Sequence, residues 1–291
     1  MKKKRRTGCI LFSLLLAACL LAAPAGYTLL TKHVLPTSTR RTLAEGVIYR
    51  RVVRYLPEPL VMHIVLIDVK QAGVRFLVTP PDVTEEGEHP LKARTTSEFM
   101  QDFGVDIAIN GGGFTPWYAN GLDYYPHSGD PVTPIGRSMS KGKLYADGPG
   151  PTLYITANNK ISFNSETGKP QNILAGDRML VKNGEAIDGL DTTERAPRSA
   201  VGLDRKGSTL ILAVIDGRQP LYSQGMTFAE LATLMVNYGA ETAMALDGGG
   251  SSTLVVRDKN GQPQLLNSPI HAGVPGLERP VANHLGIFLG K

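Results

Sequence analysis

Residues 245–256 read ALDGGGSSTLVV, with one acid, three consecutive glycines and three hydroxyl side chains lying between an apolar run and a β-branched one. Glycine loses more backbone freedom on folding than any other residue, so three together need a purpose beyond reversing the chain. Their N–H groups can converge on an anion, and Asp247 at a strand end would stand beside them. Two other stretches share this grammar: INGGGF (109–114), which carries Asn110, Gly111 and Gly112, and VIDGR (214–218), which carries Asp216. Each puts a polar side chain at the end of an apolar strand with bare backbone next to it. Three such turns predict one shared cleft.

Arginines accompany the turns: Arg195 and Arg198 in ERAPRSAVG, Arg218 in VIDGR, and Arg279 beside Glu278 in LERPVANH. Guanidinium forks match carboxylate and phosphate groups. Neither glycine run continues into Gly-Lys-Ser/Thr, which excludes a nucleotide phosphate loop. GGSST is not the Gly-x-Ser-x-Gly elbow, and no histidine is spaced to pair with Ser251. His63, His89, His127, His271 and His284 show no metal-ligand spacing, though His127 and His284 stand out by their surroundings. Trp117, Tyr118, Tyr124 and Tyr125 either stack on a sugar face or pin their loop to the domain.

Strands must hold these turns. VMHIVLIDV and VRFLVT, separated by KQAG, predict a hairpin; VDIAI runs into NGGGF; TLYIT pairs with ISF, and RSAVGLD with TLILAVID. Two capping boxes, Thr95 with Glu98 and Thr227 with Glu230, start helices that Gly104 and Gly239 end. Few helices and many hairpin connections predict a single α+β domain over residues 61–291, built on a mixed, strand-rich β-sheet. Residues 26–60 are expected to be a tether or edge segment.

The chain has 42% hydrophobic and 20% charged residues, as an ordinary globular protein does. Lys2 to Arg6, the apolar run from Cys9 to Ala23 and the small residues of AAPAG predict a signal peptide over 1–25. The 22 apolar-rich residues from Cys9 to Leu30 would also serve as a membrane anchor, and LAAC (16–19) resembles a lipoprotein cleavage box. All three readings export the domain, to the periplasm, the exterior or the outer side of the cytoplasmic membrane. Without residues 1–25 the 31 basic residues fall to 26, equal to the 26 acidic ones, so the charge argument for nucleic acid disappears. Both cysteines lie in that segment, leaving none for disulfides, thiolate chemistry or metal in the domain.

In order along the chain, AINGGGF, RAPRSAVG, VIDGRQP, the helix from Thr227, ALDGGGSSTLVV, LNSP and ERPVANHLGIF resemble the phosphodiester glycosidase family. The resemblance runs from about Val61 to Leu289; in place of the two aromatics usual after NGG, Gly113 precedes a single Phe114. It implies hydrolysis of a sugar 1-phosphodiester at the anomeric carbon, releasing the sugar and leaving a phosphomonoester. Asp247 is then expected as acid/base or nucleophile, with Asp216 or Glu278 as its partner. Arg195, Arg198, Arg218 and Arg279 are expected to hold substrate with Asn110, Gly111, Gly112, Gly248, Gly249, Ser251, Ser252 and Asn283. No cofactor is expected. The other class of protein these residues suit is a non-catalytic envelope module that binds anionic polysaccharide.

Overall fold

The computed structural model describes residues 36–82, 89–120 and 123–290, and the segment read as a signal peptide or anchor, with both cysteines, lies outside them. The central feature is an eight-stranded sheet. Its strands run in the order Thr39–Ala44, Val47–Arg54, Leu60–Asp68, Thr209–Ile215, Arg198–Asp204, Ala240–Ala245, Arg178–Lys182 and Glu185–Ala186. TLILAVI shows why it stays buried on both faces. Leu210, Leu212 and Val214 enter the main core, while Ile211, Ala213 and Ile215 point the other way. A strand alternates its side chains between faces, so a strand covered on both sides must be apolar throughout.

The main core joins this sheet to two five-stranded sheets. One runs Pro263–Leu265, Leu254–Arg257, Ile107–Asn110, His284–Phe288, Arg75–Val78; the other Lys143–Ala146, Ser138–Ser140, Pro170–Ala175, Thr152–Thr156, Ile161–Phe163. Helix α1 (Thr96–Phe103) packs Phe99 and Met100 onto the first of these, against Leu77, Ala108 and Val255. Helix α2 (Phe228–Asn237) lays Phe228, Leu231 and Met235 on the outer face of the large sheet. Both capping boxes form, and Gly104 ends α1 at φ +69°.

The architecture is mostly β, with two α-helices among the described residues, rather than α+β in full measure. Nor is the large sheet mixed: its strand pairs are all antiparallel. Parallel neighbours need long crossovers, usually helical, and two helices supply few of them. Within the segment expected as a tether or edge, Thr39–Arg54 forms two strands of the large sheet, with Val47 and Tyr49 buried in the core. Arg50, Arg51 and Arg54 in the same strand obscure that apolar face in the sequence. The hairpin expected over 61–79 does not form either, because Leu60–Asp68 and Arg75–Val78 belong to different sheets.

His284 sits fully buried beside Asn110, stacked on Phe99 at 4.6 Å, with Nδ1 3.2 Å from Thr79 Oγ1. Burial, and the nearby Arg94 charge, push its pKa down to about 3. An unfolded histidine takes its proton near pH 6.5, so between these values the unfolded chain binds more protons. Stability should therefore fall as pH drops from about 6.5 towards 3, by up to about 1.4 kcal/mol per pH unit from this group. Urea unfolding of the protein and of His284→Gln at several pH values checks this; the variant should lose that component of the slope.

Candidate active site

The strand Ala240–Ala245 delivers Asp247 to the end of the large sheet, where the strand Ile107–Asn110 also ends. One side chain joins the two. Asn110 Nδ2 donates to Asp247 O (2.8 Å) and Gly111 O (3.1 Å), while Oδ1 accepts from Ser199 Oγ (2.7 Å) and Thr253 N (3.2 Å). A primary amide has two donors and two acceptor sites, and all four are used inside the protein. Asn110, expected to orient sugar or water, is instead the clamp that fixes the turn.

The glycines divide by task. A Cβ on Gly111 would lie 2.1 Å from Asn283 Oδ1, and one on Gly112 2.4 Å from Ala175 O, so both are small in order to pack. Asn283 also holds Gly111 through its carbonyl and Ser138 through Nδ2, a scaffolding role. Around Asp247 the close neighbours are guanidinium groups. A Cβ on Gly249, which sits at φ +60°, would lie 3.0 Å from Arg218 Nη1, and one on Gly250 2.6 Å from Arg279 Nη2. The expected cradle of free amides does not form: Gly249 N donates to Pro197 O at 2.8 Å, and the Gly248 amide interacts with the Asp247 carboxylate. Charge at this turn comes from arginines.

Arg198 is 6% exposed, its Nε donating to Met226 O (3.0 Å) and Nη2 to Glu194 O (2.9 Å). Its guanidinium carbon lies 3.8 Å from the Phe228 ring centre, which Arg178 also approaches at 3.9 Å. Arg218 adopts φ +57°, a left-handed conformation unusual for a side chain of this size, and reaches over Gly249. Arg279 donates from Nε to His271 Nδ1 (3.2 Å) and from Nη1 to Ser251 Oγ (3.4 Å) and lies 5.2 Å from the Trp117 ring centre. Burial and the Arg279 charge hold the His271 pKa below its usual value, which keeps Nδ1 free to accept. None of Arg198, Arg218 and Arg279 forms an ion pair with an acid among the described residues. Three guanidinium groups beside one turn, none in an ion pair among the described residues, suit an anionic ligand.

Asp247 precedes this turn and shares a cleft with Arg279. Burial raises its pKa, while hydrogen bonding from Ser251 and the Arg279 charge pull it back. Ser251 is thus a positioning residue. Ser252 is fully buried and engages Asn267 through its carbonyl. Asp247 and Arg279 line a cleft of about 310 Å³ with Gly113, Phe114, Trp117 and Ile135. A slightly larger hollow of 340 Å³, beside Arg75, Phe103 and Phe288, contains no carboxylate in its lining.

The two expected partner acids are engaged elsewhere. Asp216 is 1% exposed and accepts from Tyr222 OH (3.0 Å), Asn267 Nδ2 (3.1 Å) and Ser268 N (2.9 Å), with His63 Nε2 at 3.0 Å. Its oxygens are saturated by protein. Glu278 accepts from Ser97 N (3.0 Å) at the start of α1, and burial raises its pKa. Arg195 is neutralised by Glu58 (3.0 Å) and Glu230 (2.6 Å) at the start of α2. His127 is exposed and pairs with Asp130 at 3.3 Å.

The acid that sequence reasoning missed is Asp177. Its amide donates to Ala245 O at 2.9 Å, two residues before Asp247, and its charge acts on both Asp247 and Arg198. It follows an apolar strand and a glycine in ILAGD, the same grammar with the acid after the glycine instead of before it. No cluster of His, Cys, Asp and Glu suited to a metal ion occurs among the described residues.

Comparison with known proteins shows the family. A family model described as phosphodiester glycosidase matches residues 103–288, and the chain belongs to that family. The fold is similar to the catalytic domain of zebrafish N-acetylglucosamine-1-phosphodiester alpha-N-acetylglucosaminidase, auto-inhibited by its pro-peptide, at 19% identity and a TM-score of 0.60. That likeness covers 89% of this chain and 85% of the zebrafish one. A protein from Synechocystis shares the fold at 15% identity and a TM-score of 0.53, over 88% of this chain and 64% of that one. The SPbeta prophage-derived protein YomE of Bacillus subtilis (strain 168) is 39% identical over 69 residues, which are 24% of this chain. The chain thus spans a tenth of the length of that curated relative.

If Asn110 is a clamp, Asn110→Asp should be damaging despite its matching size. It would turn an oxygen towards the carbonyls of Gly111 and Asp247 in place of two donors. The expected loss is roughly 2–4 kcal/mol, from two buried acceptors left unpaired. A denaturant titration measures it, and a variant as stable as the parent would refute the clamp.

Proposed function

We propose that this protein is an exported hydrolase that cleaves a sugar 1-phosphodiester at the anomeric carbon, in envelope or exopolysaccharide metabolism. The observation that carries the reading is the set of Arg198, Arg218 and Arg279 beside the glycine turn that follows Asp247, none of them in an ion pair among the described residues. Family membership supports the same chemistry, and the basic start and apolar run of residues 2–23 support export.

The reaction needs two charges stabilised at once: positive on the sugar ring and negative on the departing phosphate. Asp247 lies where a carboxylate would steady the ring and take a proton from water. The water oxygen bonds to the anomeric carbon as the bond from that carbon to the phosphate oxygen breaks. The bonding pair leaves with the phosphate, and the proton passes to Asp247. The arginines hold the phosphate, so the leaving group needs little protonation. Asp177, paired with Arg178 at 2.8 Å, adds negative charge near Asp247, whereas Asp216 and Glu278 are engaged elsewhere.

Asp247→Asn should lower kcat on a sugar 1-phosphodiester at least roughly a hundredfold, with the melting temperature near that of the parent. Because burial raises the Asp247 pKa and the base must be ionised, the parent's rate should fall on acidification at a higher pH than an ordinary carboxylate would set. Retention of anionic polysaccharide without any turnover would favour the binding-module reading. Separately, Arg218→Lys keeps the charge but loses the fork, and should raise KM more than it lowers stability. Equal losses in both would make Arg218 a fold residue.

A further inference from the structure

An anion site is usually ringed by polar groups, yet exposed apolar side chains line and flank this one. Of nine large hydrophobic residues exposed among those described, six lie on the segments that build or brace the cleft: Trp117, Tyr118, Ile135, Leu221, Val274 and Leu277. Their exposure runs from 45% at Leu277 to 72% at Leu221, far more than a buried contact would leave.

Their placement follows from the backbone. Trp117 and Ile135 line the cleft directly. Tyr118 stacks on Tyr125 at 5.1 Å, and the neighbouring Tyr124 meets the edge of His271 at 5.1 Å. His271 is the group that accepts from Arg279. Val274 pairs directly with His271, so the two project from the same face, and Leu277 O accepts from His271 N at 3.0 Å. Leu221 sits in the turn after Arg218, which Gln219 Nε2 ties to Ser268 O at 2.9 Å.

An aromatic ring can stack on a sugar, but isoleucine, leucine and valine offer nothing to hydroxyl groups. Exposed apolar side chains gathered at a cleft mark a place where something apolar is bound. Here Trp117 and Ile135 line the same cleft as Arg279, and Val274 projects beside the His271 that Arg279 contacts, so the occupant should join an apolar body to a phosphate.

We infer that the substrate is a sugar 1-phosphate esterified to a long apolar alcohol, with the arginines on the phosphate and the apolar rim on the chain. The inference rests on the proposed function and adds the class of leaving group. Water attacks the anomeric carbon, the bond from that carbon to oxygen breaks, and the products are free sugar and a lipid monophosphate. A reaction that attaches sugars to a lipid phosphate must supply such a substrate.

Trp117 is the only tryptophan in the chain, so the fluorescence of the full-length protein reports on the rim itself. Titrating with methyl phosphate and with decyl phosphate below its micelle concentration compares head with head plus tail. Decyl phosphate should bind at least about tenfold more tightly, which burial of two or so methylenes gives. The double variant Val274→Ser/Leu277→Ser should narrow that ratio. Hydrolysis of a decyl sugar 1-phosphodiester should likewise exceed that of the methyl one in kcat/KM. Equal binding of the two phosphates, or equal hydrolysis of the two diesters, overturns the inference and leaves the phosphate site standing. Failure of both phosphates to bind overturns the phosphate site and the inference with it. A dimer whose formation removes the decyl advantage assigns the rim to a second copy of the chain, and overturns it too.

Discussion

The site depends on one buried amide. Asn110 binds the backbone of its own strand end, the turn at Asp247, the residue that leaves that turn and a serine on the large sheet. Two sheets meet there, and neither alone would hold a glycine-rich turn in a fixed shape. With the clamp in place, the three glycines are no longer loose, and their lack of side chains becomes room for guanidinium groups.

Those groups then impose a condition on the rest of the molecule. Buried positive charge without a partner is costly, and burial pushes the pKa values of Arg198 and Arg279 down. The protein offsets that cost with carbonyl oxygens, aromatic faces and the Asp247 charge, and directs the other acids elsewhere. Glu278 serves a helix start, Asp216 a buried network with His63 and Asn267, and Glu58 and Glu230 serve Arg195. Keeping these four acids off the site leaves its arginines for a ligand.

Much of this was legible in the sequence, and the failures share a cause. Capping boxes and short hairpins such as Arg198–Asp204 with Thr209–Ile215 are local, and formed as expected. The grammar of strand end, acid and glycine located Asp247 among its arginines. The same grammar could not separate Asp247 from Asp216, whose fate is set by residues 51 to 153 positions away. KQAG does not say whether the next strand turns back or changes sheets. Its polar and basic residues make 26–60 read as a tether or edge segment; its hairpin is an edge of the large sheet, yet Val47 and Tyr49 face the core.

That hairpin also shapes how the molecule meets its own kind. The eight-stranded sheet has two ends: one is Glu185–Ala186, a strand of two residues, and the other is Thr39–Ala44, which carries Arg40 and Arg41. A free strand edge is a template on which another chain can add, and length and neutrality make it a good one. Here one edge is too short and the other repels its copy. A domain with no disulfide to fall back on is thereby kept from growing sheet upon sheet in a crowded compartment.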